Sequence, residues 1–599
     1  MNNKLSLHKH SYWLLTLVFG IAVFLFWRFR YPFALTYQEQ LQLFLFDGDY
    51  FCSRMVEPGG FARYIAEFLV QFYNGVTIGA LILAVLFMLI QRLTWRVMNK
   101  VQSSSHSEAA EPSAKFKVQS YPLSFLPALM LWFAMGDESV MLTYAVALIV
   151  ALAAALGLAK LVKLVKLEQL GKLAILAKLG FFLVPIPLLY WLIGPMVLLV
   201  AALMLPLIVA TVEVIYALQL ILLSAYYLPF PKSRVLLGIS YYRFPEVLPY
   251  VLMAIPVVII LLVWLCRKLH TFAENRKKWL YVAELIVLTV AAVLIIPRGY
   301  DAKKYELIEY DYLVRTNQWN AIIAKAEKQM PDLPMSVSAT NLALGMTNQL
   351  GERAFDFYQR GSEGLLPKFE RNFATAQLTG EIYYHLGLIN TAQRFAFEAM
   401  EAIPNYNKSA RVVKRLAETN LINGQYKVAE KYLKMLEKTV FYRPWAKRTM
   451  AMLGDEKQIN SHPLYGTLRQ YRLQEDFLFS EQELDKICGQ LFVHHPQNQM
   501  ATQYLLLMPL LDRDIPRFMS YVPVVQEKTQ YNPRSCQEAL AFAFMQQRQQ
   551  PPRGLISDMI LQKMNDFSRT YSNDKQSPEL ARYKNTVWYY LTGGALNDN

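Results

Sequence analysis

The sequence changes character near Pro297, and this change constrains the fold more than any other feature. Long apolar stretches recur before Pro297 and do not recur after it; examples are Tyr12 to Trp27, Val76 to Ile90, Val140 to Leu158 and Tyr250 to Cys266. A bilayer core of about 30 Å requires roughly 20 mostly apolar residues in helical form, because helices satisfy their own backbone there. Residues 1–297 are therefore predicted to form a transmembrane helix bundle, followed by a helical, water-soluble portion.

The basic residues of the chain also point to a membrane protein. The formal net charge of +15 would suggest nucleic acid in a soluble protein. Many Lys and Arg residues stand instead in short loops between apolar stretches, where positive charge marks the cytoplasmic side. We interpret the charge as topology and as contact with anionic membrane lipid, and we expect no nucleic acid partner.

Charge also predicts the orientation. Basic loops at residues 92–117, 160–172 and 267–278 are expected in the cytoplasm. Residues 28–71, 136–139 and 226–248 then face outward, as does everything after Pro297. This predicts a multi-pass protein of the bacterial inner membrane with a periplasmic C-terminal portion. Residues 173–225 must cross an odd number of times, with breaks near Gly194-Pro195 and Leu205-Pro206, so the total is seven or nine spans.

The soluble half contains a periodic turn pattern. Turn-like sites recur at Asn317, Gly351, Gly387 and Gly424, with spacings of 34, 36 and 37 residues. Periods of this length are typical of two-helix solenoid repeats, in which neighbouring hairpins bury each other's apolar faces. Ala392 and Ala429 follow two of the turns and are expected at close helix crossings.

Residues 305–445 resemble tetratricopeptide repeats, as Ala399 and Pro404 after the third turn also suggest. The resemblance implies an α-solenoid that binds a protein or peptide partner in its concave face; the alternative is that the repeats only pack against the membrane portion. We assign repeats to residues 298–460 and a further helical, repeat-like region to residues 461–599. The predicted fold class is all-α, a polytopic transmembrane bundle followed by this solenoid.

Charged residues concentrate in the first loop, residues 28–71. Its carboxylates include Glu39, Asp47 and Asp49. The helical spacing of Leu41, Phe44 and Leu45 predicts a helix that lies in the plane of the membrane surface. Pro58-Gly59-Gly60 predicts a turn. After this turn Arg63, Glu67 and Gln71 form one polar stripe at intervals of four residues. Asp137 and Glu138 lie in the second loop, residues 136–139, which the topology places on the same side.

Taken together, the two loops resemble those of membrane glycosyltransferases that use polyprenyl-linked sugar donors. The resemblance implies catalytic carboxylates in both loops, and Gly48-Asp49-Tyr50 followed by Pro58 is similar to a stretch found in some members. The residues that would take the catalytic role are Glu39 or the pair Asp47 and Asp49 in the first loop, and Asp137 or Glu138 in the second loop.

The chemistry gives these residue types their roles. A carboxylate can accept the proton of an acceptor hydroxyl or hold a divalent cation, and an arginine can neutralise a leaving pyrophosphate. The candidate substrate-binding residues are Arg54, Arg63, Arg234 and Arg243. The alternative is that the acidic residues are solvated loop charges near lipid headgroups, with Asp137 and Glu138 beside a helix N-terminus.

Three other features bear on function. Glu213 is an acid within an apolar stretch, which suggests either ion transport or a position at the end of a span. Cys488 and Cys536 could pair in an oxidising compartment, although two free buried thiols are the preferred interpretation. The adjacent His494 and His495 precede a proline and suit a loop better than a metal site.

The whole chain is also similar to an uncharacterised bacterial family that joins a multi-span half to a repeat-like half, as Glu398 to Pro404 and Arg415 to Tyr426 indicate. Two functions follow as hypotheses. The first is an outward-facing glycosyltransferase with a polyprenyl-linked donor, and the alternative is a membrane-anchored scaffold in envelope assembly. A transporter is a third, less favoured hypothesis.

Overall fold

The structure is a computed structural model that describes most of the chain. The described residues are 2–102, 121–164, 183–203, 207–228, 232, 235, 250–268, 274–403, 407–473 and 483–593. Within them the regular elements are all helical, and the only strand-like feature is an isolated bridge between Arg360 and Ser362. The prediction of an all-α protein is confirmed.

The chain divides into two compact units. Unit 1 contains Met1–Tyr305 and two short segments from later in the chain, Pro404–Ser409 and Lys438–Phe441. Unit 2 contains Glu306–Ile403, Ala410–Glu437 and Tyr442–Asn599. Unit 1 is thus not a continuous piece of sequence.

Unit 1 is built from twelve helices within the described residues, α1 to α12. They are α1 (Asn2–Leu25), α2 (Pro32–Gln40), α3 (Gly48–Met55), α4 (Gly60–Val70), α5 (Val76–Gln102), α6 (Leu126–Ala134), α7 (Thr143–Leu164), α8 (Pro185–Ile193), α9 (Val197–Leu203), α10 (Leu207–Tyr227), α11 (Tyr250–Lys268) and α12 (Glu274–Ile295). A π-helical turn, Phe26–Arg30, extends α1, and a 3-10 turn, Gly194–Met196, interrupts the path from α8 to α9.

Several of these helices are long and apolar enough to cross a membrane. Five stretches within the described residues meet that condition: Tyr12–Arg30, Val76–Asn99, Thr143–Leu161, Pro185–Leu203 and Tyr281–Gly299. Three shorter apolar helices accompany them: Pro122–Ala134, Val212–Tyr227 and Tyr250–Leu265. The chain therefore has the apolar helices of a membrane protein.

The core of unit 1 forms around α5, which packs against α1 and α7. Large side chains fill the space between these helices and the first loop, and Trp27, Tyr73 and Phe87 are fully buried. Close helix contact also occurs at Gly20, where an added Cβ would overlap the side chain of Met88. The first loop therefore packs against closely packed helices.

Unit 2 is also helical, and its regular elements among the described residues continue the numbering. They are α13 (Ala302–Arg315, which starts in unit 1), α14 (Trp319–Lys328), α15 (Pro334–Met346), α16 (Leu350–Arg353), α17 (Phe373–Leu386), α18 (Ile389–Glu401), α19 (Ala410–Ile422), α20 (Tyr426–Glu437), α21 (Arg443–Met450), α22 (Glu456–Ser461), α23 (Pro463–Tyr471), α24 (Leu484–His494), α25 (Gln499–Leu511), α26 (Ile515–Lys528), α27 (Arg534–Gln546), α28 (Asp558–Asn573) and α29 (Val587–Leu591).

One turn geometry recurs at helix ends through the described part of unit 2. Six residues with left-handed φ values between 54° and 94° end a helix: Asn317, Asn348, Gly387, Gly424, Arg513 and Arg548. The next residue donates its backbone N–H to the carbonyl five residues back, at 2.7 to 3.0 Å in all six cases. This is the Schellman arrangement, which satisfies the free carbonyls at a helix end and turns the chain into the next element.

The structure corrects one predicted turn and extends the pattern. Gly351 lies inside α16, and the turn that the period placed there is made by Asn348, three residues earlier. Asparagine adopts left-handed φ more readily than most residues, so glycine is not required. Arg513 and Arg548 make the same turn beyond Ser461, where the sequence offers no landmark because arginine is an unusual residue in this conformation.

Three cysteines are free thiols. Cys52 is exposed, and Cys488 and Cys536 are buried without a disulfide. Burial raises the pKa of the Cys536 thiol to about 12, so this thiol stays protonated and unreactive at neutral pH. The preferred interpretation of two free buried thiols agrees with this arrangement.

Candidate functional site

The centre of the first loop is a buried carboxylate, Glu67, which is 1% exposed and lies in α4. Arg63 stands one turn earlier on the same helix and places its Nε 3.0 Å from Glu67 Oε1. Arg54 comes from α3 and places its Nε 2.8 Å from Glu67 Oε2, and the Tyr50 hydroxyl donates to the same oxygen at 2.5 Å. The polar stripe that the sequence predicted is therefore an ion-pair site in the interior of unit 1.

Asn407 completes this group from the segment Pro404–Ser409. Its side-chain oxygen accepts hydrogen bonds from Arg54 Nη2 at 3.0 Å and from Arg63 Nη2 at 2.9 Å, and the residue is 4% exposed. We call Tyr50, Arg54, Arg63, Glu67 and Asn407 the Glu67 cluster. Both predicted substrate-binding arginines of the first loop thus have partners from their own chain.

The turn between α3 and α4 makes this convergence possible. Gly59 has a φ of 80°, and a Cβ on Gly60 would overlap the Arg54 carbonyl oxygen. The predicted Pro58-Gly59-Gly60 turn thus brings the end of α3 against the start of α4. Only glycine allows this approach, because any side chain at position 60 would push Arg54 away from Glu67.

The charges of the Glu67 cluster compensate each other. Burial alone would raise the pKa of Glu67, but the nearby Arg63 and Arg54 guanidinium groups lower it. Arg63 also contacts Glu57, Nη1 to Oε2, at 3.1 Å. With Glu57 added to the cluster, two arginines face two carboxylates, so their formal charges cancel.

Asp47 and Asp49 flank the start of α3 and have different surroundings. Asp47 Oδ2 forms an ion pair with Lys438 Nζ at 2.7 Å, and the Phe46 N–H donates to the Lys438 carbonyl at 2.8 Å. Asp49 is exposed in the first helical turn, where a carboxylate is favoured by the helix dipole. Asp47 therefore contacts a segment of the chain, whereas Asp49 faces solvent.

The predicted in-plane helix around Leu41 to Leu45 is wrong. Residues 42–47 form no regular element, and they connect the end of α2 to the start of α3. Their backbone groups pair with later segments instead, since the Leu43 N–H donates to the Lys408 carbonyl at 2.8 Å and Phe46 pairs with Lys438. Hydrogen bonds to distant segments replace those that a helix would have made.

The second loop meets the first loop through Gln38. The Gln38 amide donates to the carbonyls of Glu138 and Val140, at 3.2 Å in each case. The neighbouring Glu39 is 4% exposed in α2. The chain thus brings the two acidic loops together, although the contact uses an amide side chain and backbone carbonyls.

The side chains of the second loop have their own partners. Glu138 Oε1 pairs with Lys304 Nζ at 3.1 Å, and Asp137 Oδ1 accepts from the Ser139 N–H at 3.0 Å. The Tyr305 hydroxyl donates to the Gly136 carbonyl at 3.1 Å, and burial raises the pKa of this tyrosine. The first turn of α13 therefore contacts the second loop through Lys304 and Tyr305.

The remaining site predictions have the following outcomes. Arg234 and Arg243 lie outside the described residues. Among the described side chains, no group of three or more His, Cys, Asp or Glu is placed to hold a metal ion, so the expected divalent cation has no evident ligand set there. Glu213 is 2% exposed in α10, and neither carboxylate oxygen has a hydrogen-bond partner among the described residues.

Unit 2 contains a second buried ionic group, which the sequence did not reveal. Arg411 of α19 lies between Asp311 of α13, at 2.7 Å, and Glu381 of α17, at 3.3 Å. Arg415, one turn later, lies between Glu381 at 2.6 Å and Glu418 at 2.9 Å. These five residues, the Glu381 network, connect three helices that each begin a hairpin.

Aromatic and histidine side chains enclose the Glu381 network. The Arg415 guanidinium lies over the Tyr384 ring at 3.4 Å from its centroid. Burial alone would raise the pKa of Glu381, but Arg415 and Arg411 lower it to about 2. Burial lowers the pKa of His385 to about 4, so this imidazole is neutral at physiological pH.

The fold and the site together define a class, an all-α protein that has helices long and apolar enough to cross a membrane and a buried ion-pair site in its first loop. A family model described as Family of unknown function (DUF6057) matches residues 8–594, and the chain belongs to this family. No curated protein and no solved structure matches the chain.

Proposed function

We propose that this protein is a membrane-anchored helical-repeat scaffold in envelope assembly, whose unit 2 binds a protein or peptide partner. The observation that carries the proposal is that four of the predicted site residues in the two loops pair with groups of their own chain. Arg54 and Arg63 bind Glu67 and Asn407, Asp47 binds Lys438, and Glu138 binds Lys304. The buried pairs of Arg54 and Arg63 in particular support a structural role for the first loop.

Unit 2 supports the binding role. Its helical hairpins repeat one Schellman turn, which is what successive units of an α-solenoid of the tetratricopeptide type would require. The Glu381 network connects the first helices of three hairpins and would fix their spacing. A solenoid with fixed spacing presents a rigid surface, and rigidity lowers the entropy cost of binding an extended partner.

The proposal also includes the orientation of the protein in the membrane. A multi-pass protein of the bacterial inner membrane with seven or nine spans would place the basic loops in the cytoplasm and unit 2 in the periplasm. The five long and three shorter apolar helices are compatible with a bundle of this size. A scaffold on the outer face would meet envelope components there.

A second candidate is a glycosyltransferase with a polyprenyl-linked donor. The observation in its favour is Asp49, an exposed carboxylate at the start of α3 that stands beside the Glu67 cluster and is free of ion pairs among the described residues. Such a group could accept a proton from an acceptor hydroxyl. A cation would have to be held by Asp49 together with groups of the substrate.

Genetic complementation separates the two proposals. Cells that lack the gene are compared with cells that carry Glu39→Gln, Asp49→Asn or Asp137→Asn, each at wild-type abundance, and their glycoconjugate profiles and envelope integrity are measured. A scaffold predicts that all three variants restore the wild-type state. An enzyme predicts that at least one variant loses roughly 10²-fold of product while the protein remains folded, and this result would overturn the scaffold proposal.

A further inference from the structure

Unit 1 contains a cavity of about 440 Å³ among its apolar helices. It is lined by α7, the break between α8 and α9, α9, α10 and α11, and representative lining residues are Tyr144, Pro195, Leu199, Leu218, Met253 and Pro256. Each of these helices is apolar enough to lie in a membrane. A bilayer around these helices would surround the cavity with hydrocarbon.

Two prolines explain why the helices leave this space. Pro195 lies in the 3-10 turn that interrupts the path from α8 to α9, and Pro256 lies within α11. Proline removes a backbone donor and bends or interrupts a helix, so neighbouring helices do not close at these points. Because both prolines line the same cavity, the gap is built into the backbone and does not depend on one side-chain rotamer.

The lining fits a ligand without polar groups. The one hydroxyl among the lining side chains, that of Tyr144, donates to the Leu252 carbonyl at 2.6 Å and is thereby satisfied. Water needs several polar partners to occupy a cavity, and apolar cavities of smaller size remain dry and bind hydrocarbons. A charged or strongly polar ligand would lose its hydration here without compensation.

We propose that this cavity binds one hydrocarbon chain of a membrane lipid. The headgroup would remain at the membrane surface where α7 and α11 begin, since Tyr144 and Met253 lie within the first turn of those helices. The bound chain fills the gap that the two prolines create and bridges α9, α10 and α11. This binding site is independent of the scaffold proposal, because it requires no charged group of either loop.

Photocrosslinking tests the proposal on the full-length protein. The protein is placed in nanodiscs of phosphatidylethanolamine and phosphatidylglycerol with a trace of phosphatidylethanolamine that carries a diazirine on its acyl chain. It is then washed into lipid-free detergent to remove loosely associated lipid, illuminated and analysed by peptide mass spectrometry. We expect adducts to concentrate on Leu199, Met253 and their neighbours in the cavity.

Two substitutions on one helix provide a matched comparison. Leu218 lines the cavity and Leu222 does not, and their exposed fractions are 37% and 44%. Leu218→Trp should fill the cavity and reduce these adducts several-fold, whereas Leu222→Trp should leave them unchanged; Ala202→Phe provides a second way to fill the space. Adducts on the cavity no more frequent than on bilayer-facing side chains, or unchanged by both filling variants, would overturn the proposal.

Discussion

Arg63 and Asn407 are 344 residues apart in the sequence and are joined by a hydrogen bond of 2.9 Å from Nη2 to Oδ1. Asn407 also accepts from Arg54, so one amide oxygen accepts hydrogen bonds from two guanidinium groups. This relationship changes the interpretation of the first loop. Its arginines hold a segment of their own chain, and the segment in turn keeps both arginines in the geometry that Glu67 requires.

Removal of the central charge should be costly. Glu67→Gln leaves two arginines in the interior without their main counter-charge, and the loss of one partner of a buried ion pair typically costs about 3–5 kcal/mol. We expect the full-length protein in detergent to unfold at a clearly lower temperature. Glu57→Gln is the control. The Glu57 side chain is 22% exposed, so this substitution should lower the stability much less. Equal shifts in the two variants would contradict the central role of Glu67.

The pH dependence of unit 2 should depend on His385. Its pKa is lowered by burial from 6.5 to about 4, so the folded state favours the neutral imidazole. This contribution to stability is complete above pH 6.5 and is lost as the pH falls toward 4, by about 1.4 kcal/mol per pH unit at most. Glu381 stays ionised in this range, because its pKa is about 2.

Hydrogen exchange measures this effect in the full-length protein. Protection of residues 373–386 should decrease between pH 6.5 and pH 4 after correction for intrinsic exchange, with residues 426–437 as the internal reference. The decrease should become smaller in His385→Gln. A variant that retains the full wild-type decrease would show that another group is responsible.

The repeat alignment predicts which alanines cannot be replaced by larger residues without loss of stability. Ala392 and Ala429 are both fully buried, at positions that the sequence assigned to helix crossings. Ala392→Leu or Ala429→Leu should overpack the crossing and cost on the order of 1–3 kcal/mol. Ala321→Leu, at an exposed position of α14, should be nearly neutral. An unchanged unfolding temperature in both buried variants would refute the alignment.

The topology predicts where the C-terminus lies. Five Lys or Arg residues between positions 267 and 278 favour a cytoplasmic position for that loop, so the segment after the following apolar helix should face outward. Alkaline phosphatase fused after Asn599 should therefore be active, and a reporter that works only in the cytoplasm should be inactive at the same position. The opposite pattern would reverse the predicted orientation.

Hydrophobic pattern and turn spacing predicted the coarse fold, because each depends on neighbouring residues. Several of the apolar stretches form helices long and apolar enough to cross a membrane, and the predicted turns at Gly387 and Gly424 are present. The turn at Asn348 and those at Arg513 and Arg548 were missed, since a search for glycine does not find other residues in left-handed conformation. The turns at Asn348 and Arg513 share a local pattern, a polar residue followed by Gln or Asp and then by an apolar residue.

The site was less predictable because its partners are distant in sequence. The spacing of Arg63 and Glu67 indicated a shared helix face, but nothing local indicated that Asn407 would join them or that Lys438 would pair with Asp47. The absence of a helix at residues 42–47 has the same cause, because Leu43 and Phe46 donate their backbone N–H groups to Lys408 and Lys438. Long-range pairing decided both outcomes.

The most direct test of the central claim is a double-mutant cycle between Arg63 and Asn407. Arg63→Gln, Asn407→Ala and the double variant are compared with the wild type by equilibrium or thermal unfolding of the full-length protein. If the first loop holds this segment of the chain, the two substitutions should be coupled by about 0.5–3 kcal/mol, and the double variant should lose less stability than the sum of the single variants. If the stability losses of the two single variants add up to that of the double variant within error, the claim is contradicted. Arg63 would then again be a candidate for substrate binding.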